Sequence, residues 1–118
     1  DSLHRSDLMI SDWSGAALDY SFGLGKPVLF IDVPRKVNNP EYELLDITPF
    51  EVWIRENIGK IQRADQLDSL IDSVNELLVA STYVDIDLIV KQNIFNVRKS
   101  AEVGAKYLAQ LLKSFDCY

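Results

Sequence analysis

The residues best suited to chemistry stand together in Asp12-Trp13-Ser14-Gly15-Ala16, with an acidic Asp19 shortly after. They follow a short apolar run, Leu8 to Ser11, and open a segment able to form a helix. The first N–H groups of a helix have no partner within it, and its dipole is positive at that end. An anion, most naturally a phosphate, is the ligand such a turn binds. Ser14 is the N-cap candidate, its hydroxyl able to accept from a first-turn N–H. Asp12, two residues earlier, can brace the turn through backbone hydrogen bonds. Asp19 lies inside the helix among small and apolar neighbours. It is either part of a solvated face or a carboxylate that accepts from hydroxyls such as a ribose's, and nothing local decides.

The elements that must hold this turn follow from the flanking residues. Leu8 to Ser11 is continuously apolar, which suits a strand buried on both faces. The helix has Leu18 and Phe22 one turn apart for the core, and Gly23 and Gly25 end it. Pro27 forbids helix and opens a second buried strand, Val28 to Asp32. Strand, tight turn, helix and strand make a βαβ unit, and ligands of open α/β folds bind at the carboxyl edge of such strands. The right-handed crossover puts Arg35 and Lys36 on that same edge, either adding positive charge beside the anion or forming a solvated basic pair. Val37 to Asp46, with Asn38-Asn39-Pro40, reads as an irregular excursion across it.

Further along, Thr48 as cap, Pro49 at the first position and Glu51 in the first turn begin another helix. Phe50, Trp53 and Ile54 give it an apolar stripe, with Trp53 read as core, and it stops near Gly59. Ile61 belongs to a very short third strand. Asp65 to Val79 is the clearest helix, with Leu67, Leu70, Ile71, Val74, Leu77 and Leu78 on one face. Tyr83 to Gln92 reads as another, Asn93 to Lys99 as a loop. Ser100 caps a last helix whose face is Val103, Tyr107, Leu108, Leu111, Leu112 and Phe115. The expected fold class is therefore α/β, a Rossmann-like three-layer parallel sheet with several C-terminal helices, over residues 1–118 as a single domain.

Composition narrows the function classes. With 47% apolar and 25% charged residues among 118, the chain falls with ordinary globular domains. A net charge of −6 and scattered basic residues argue against a nucleic-acid partner. The single cysteine, Cys117, excludes an intrachain disulfide framework and fits a reducing compartment, so a cytoplasmic setting is expected. No apolar run approaches the roughly 20 residues of a membrane-spanning helix, and no signal peptide is visible. The chain starts without Met and enters a strand almost at once, so it reads as a piece of a longer protein. Gly23-Leu24-Gly25-Lys26-Pro27 echoes a P-loop, but its first glycine is misplaced and Pro27 stands where Ser or Thr is needed. A dinucleotide fingerprint is absent too, because position 28 is Val. Neither a metal site nor a cofactor is expected, and His4, a lone loop histidine, has no named partner that would make it a base.

Three segments carry a resemblance: Ser6-Asp7-Leu8-Met9-Ile10-Ser11-Asp12-Trp13-Ser14-Gly15, Asp19-Tyr20, and Gly25-Lys26-Pro27-Val28-Leu29-Phe30. They resemble the CDP-glycerol glycerophosphotransferase family of the teichoic-acid polymerase type, which reads S-D-x-L-I-T-D-Y-S-S, then D-Y, then a basic-Pro-apolar strand. Asn96 to Val103 also looks like the tail of related capsule and wall-polymer proteins. The resemblance implies the two-Rossmann-domain GT-B fold, with this chain as the C-terminal part of the donor-binding domain. It implies that Ser14 and the N–H groups of Gly15 and Ala16 hold the donor diphosphate, that Asp12 shapes the turn and that Asp19 matches the family's acidic position. The chain departs in having Trp13 for the usual Tyr and Gly15 for the second Ser. The family's active-site histidines lie upstream of the matched region, so no catalytic residue is assigned here and His4 matches none.

By that resemblance the parent would be a cell-envelope polymer transferase acting on CDP-glycerol or a nucleotide sugar. Its partners would be that nucleotide-diphosphate donor and an N-terminal Rossmann-like domain of the same protein, with the membrane touched only peripherally at its inner face. The isolated chain is expected to have no turnover. The same turn is similar to that of the UDP-N-acetylglucosamine 2-epimerases, where D-S-G-G precedes an acidic residue, so an epimerase-like GT-B member is an alternative. A non-catalytic flavodoxin-like module binding a phospho-ligand or a protein is another.

Overall fold

The computed structural model describes residues 2–37, 39–79 and 85–115. Cys117, Asn38 and the start of the expected Tyr83 helix lie outside them. The chain gathers into two compact units, Asp1–Asp87 and Leu88–Tyr118. The first is α/β: a three-stranded, open, parallel sheet in the order β1-β2-β3, with β1 at Met9–Ser11, β2 at Val28–Asp32 and β3 at Gly59–Arg63. A helical turn, α1 (Ser2–Arg5), precedes β1, and two crossover helices, α2 (Gly15–Leu24) and α3 (Phe50–Ile58), join the strands. After β3 a short 3-10 turn, Leu67–Ser69, leads into α4 (Leu70–Val79).

The register fixes which residues share a face. Leu29 pairs with Ile10 on one side and Lys60 on the other, and Phe30 pairs with Ser11 and Ile61. The Arg55 guanidinium of α3 lies over Phe30, so the crossover helix covers that face. Ser73 of α4 donates to Gln62 Oε1 at 2.7 Å, so α4 covers the opposite one. Val28, Leu29 and Phe30 are fully buried between these layers, each contributing about 2 kcal/mol by removal from water.

The edge strand corrects the expectation of burial on both faces. Ile10 is 51% exposed, because β1 has a strand neighbour on one side only and α4 packs over β2 and β3. In α2 the buried residues are Ala17, Tyr20 and Ser21, while Leu18 and Phe22 are half-buried and Phe22 meets Phe50 at 6.2 Å between ring centroids. Gly25, left-handed at φ 65°, ends the helix and donates its N–H to Ser21 O; Gly23 lies within the last turn. Before α3, Pro49 rather than Thr48 occupies the cap, and no side chain bonds there. Trp53 is not core: it is 40% exposed and packs edge-on against Phe50, while Ile54 and Ile58 take the buried positions.

β3 is longer than expected and follows α3 without a loop. This works only because residue 59 is glycine, since a Cβ there would fall 1.7 Å from Val28 O. The Asp65 to Val79 helix is shorter than its periodicity suggests, and only Ser73 and Leu77 of α4 are buried, with Ile71 exposed. A helix over a narrow sheet buries one row of residues, whatever the width of its apolar stripe. The helix expected over Tyr83 to Gln92 is α5 (Ile86–Asn93), which starts in the first unit and continues into the second. In the second unit the backbone is left-handed at Asn96 and Arg98, and α6 (Ser100–Phe115) follows, with Ser100 as its first residue. Its expected core face is not buried: Tyr107, Leu108, Leu112 and Phe115 are all exposed.

Candidate functional site

The turn between β1 and α2 is held by its own side chains. The Ser14 N–H donates to Asp12 Oδ1 at 3.0 Å, closing an Asx turn, and the Ser14 hydroxyl accepts from the Ala16 N–H at 3.3 Å. Ser14 is extended at φ −72° and ψ 134°, as an N-cap residue must be. Two of the expected diphosphate donors are thereby sorted. The Ala16 N–H is already committed to the cap, whereas the Gly15 N–H has no partner among the described residues. Gly15 is exposed, and nothing lies within 4 Å of where a Cβ on it would stand, so its side-chain face is open.

The resemblance-bearing residues at the far end of α2 have a structural task. The Tyr20 hydroxyl donates to Ser6 O and accepts from Ser6 Oγ, both at 3.1 Å, and Lys26 Nζ donates to Ser6 O at 2.6 Å and His4 O at 2.9 Å. These bonds fix the strand's approach, and so the point at which the turn begins.

Below the turn lies a cavity of about 30 Å³ lined by Asp12, Trp13, Ser14, Gly15, Leu18, Phe30, Glu51 and Arg55. Arg55 is the cation in it, and sequence reasoning missed it. Its side chain is 3% exposed, stacked 3.7 Å from the centroid of the Trp13 ring and 5.0 Å from that of Phe30. Nη1 reaches Asp32 Oδ1 at 3.5 Å, but Nε and Nη2 are buried without a partner among the described residues. Burial pulls this guanidinium below its ordinary value, opposed chiefly by Asp32 and then by Asp12 and Glu56. The available signal was weak: a lone arginine between Ile54 and Ile58 on the buried side of α3, and an indole in the turn to stack on it.

Arg35 and Lys36 stand elsewhere. Arg35 lies 4.6 Å over Tyr42 and 5.8 Å from the Trp13 ring, lining an open cleft of about 520 Å³ with Val37, Tyr42, Pro49 and Val52. Lys36 lines an adjoining cleft of about 390 Å³, and neither residue lines the small cavity. Trp13 separates the two spaces and is itself pinned, its Nε1–H donating to Val33 O at 2.7 Å. Asp19 lies on the exposed face of α2, outside the cavity lining. His4 is exposed on α1. No helix among the described residues is long and apolar enough to cross a membrane. Compared with known proteins, the chain matches no family model, no curated protein and no solved structure.

Proposed function

We propose that this chain is the donor-binding portion of a cell-envelope polymer transferase, a CDP-glycerol glycerophosphotransferase or a related glycosyltransferase. In this reading it is half of the C-terminal domain of a GT-B protein, and it holds the donor diphosphate at the start of α2. The observation that carries the reading is the Gly15 N–H, without a partner among the described residues at the carboxyl edge of a parallel sheet, in a turn held by Asp12 and Ser14. The open edge of β1, where Ile10 is half exposed, suits half of a larger sheet. The sequence resemblance supplies the donor class. Chemically, such a site offsets the charge that develops on the leaving nucleotide's phosphates as the donor bond breaks, with a base supplied from another domain.

The test is a titration followed by amide NMR with CDP-glycerol, CDP, UDP-N-acetylglucosamine and inorganic phosphate. The Gly15 amide is expected to shift with the CDP ligands, and Ser14→Ala to weaken the effect. A preference for the UDP-sugar would favour the epimerase-like branch. No shift with any of them at millimolar concentration would overturn the reading.

A further inference from the structure

Arg55 is a buried cation on the wall of the small cavity. Of its three nitrogens, Nη1 meets Asp32, while Nε–H and Nη2–H have no partner among the described residues. Those two form the edge that grips a carboxylate or phosphate with parallel hydrogen bonds. Leaving both unpaired in a buried position costs more than any neutral donor would. The guanidinium carbon lies 3.7 Å from the centroid of the Trp13 ring and 5.0 Å from that of Phe30, so two aromatic rings pack against it. Glu51, four residues earlier and on the wall of the same cavity, makes no ion pair with it.

The cavity itself indicates what fits. Asp12, Ser14, Gly15 and Glu51 are exposed and form its mouth; Phe30 and Arg55 are buried and form its base. At about 30 Å³ it admits an oxygen-sized group and excludes a whole phosphate. A phosphate at the start of α2 can send one non-bridging oxygen inward while others meet the Gly15 N–H and the Ser14 hydroxyl, both of which belong to residues at the cavity mouth.

We infer that Arg55 is an anion-binding residue of this site, its Nε–Nη2 edge taking one oxygen of a phosphate or diphosphate held at the start of α2. The inference rests on the donor-binding reading above and identifies where its positive charge comes from: the helix beneath the turn, not the loop pair Arg35 and Lys36. Asp32 is the counter-ion that keeps Arg55 neutralised when no anion is present, and it competes with the ligand for the same charge.

The experiment is a titration of the whole chain with inorganic pyrophosphate, following the Gly15 amide and the Arg55 Nε–H resonance together. Both are expected to shift along one isotherm. Arg55→Lys is expected to weaken binding about tenfold, because an ammonium cannot reproduce the two-point grip. Asp32→Asn is expected to tighten it about threefold by releasing the competing pair. Arg35→Ala and Lys36→Ala are expected to change it little. If Gly15 shifts while Arg55 Nε–H stays still, or Asp32→Asn leaves the affinity unchanged, the inference falls and the donor-binding reading stands. If neither resonance moves, both fall. Should Arg55→Lys fail to fold, the wild-type side-chain resonance and Asp32→Asn still decide.

Discussion

Between Ser11 and Gly15 the chain turns through Asp12, Trp13 and Ser14, and two of those side chains bond the backbone of the turn. Between Asp32 and Phe50 it wanders from Val33 to Pro49, through a 3-10 turn at Tyr42–Leu45, and starts α3 with no side-chain cap. Both crossovers leave the same edge of the same sheet, yet they contribute different things. The short one supplies fixed backbone geometry, which an anion site needs. The long one supplies surface, namely the cleft with Arg35 and Tyr42, and through α3 it returns a buried cation to the first turn. Geometry that must hold is built locally here, and charge is brought from a distance.

The sharpest way to break that comparison is at the end of the second crossover. A Cβ at Gly59 would overlap Val28 O, and the obstacle is backbone, which cannot step aside as a side chain can. Gly59→Ala is expected to force β2 and β3 apart and cost about 3 kcal/mol or more, read as the loss of midpoint in urea unfolding. If α3 can shift to relieve the overlap, stability will hold, and the second crossover will have proved as adjustable as its loop.

What could be read from sequence follows the same division. The Asp12 brace, the Ser14 cap and the Gly25 stop are local interactions, carried by residue type and spacing, and all three stand in the structure. The buried run of β2 was legible because a central strand is covered by both layers. Ile10 has the same apolar character, but its exposure depends on being at the sheet edge, which no local pattern encodes. Ile71 and Trp53 fail for the same reason, since the helix stripes are wider than the sheet beneath them. Arg55 was invisible because its surroundings are made by Trp13, Phe30 and Asp32, all more than twenty residues away in the chain.

A smaller effect sharpens the link between the crossovers. Trp13 joins them twice, through its indole N–H to Val33 O and through its stack on Arg55. Trp13→Phe keeps an aromatic ring over the guanidinium but removes the donor, leaving the Val33 carbonyl unpaired. The expected cost is about 1–2 kcal/mol, with the Arg55 Nε–H resonance still in place. A loss of that resonance into solvent exchange would mean that the hydrogen bond, not the ring, keeps Arg55 buried.

The finest distinction lies in the two helix starts. Ser14→Ala removes the acceptor for the Ala16 N–H, and α2 should lose about 1 kcal/mol. Thr48 has the residue type of a cap but lies one position before Pro49, exposed and with no cap bond, so Thr48→Ala should stay within about 0.5 kcal/mol of wild type. Pro49 explains the difference: its ring already sets the backbone angle at the helix entrance and it has no N–H to satisfy. Thermal unfolding of the two variants side by side measures the contrast. Equal losses would mean that Thr48 caps α3 in solution, and that the second crossover is anchored by a side chain just as the first one is.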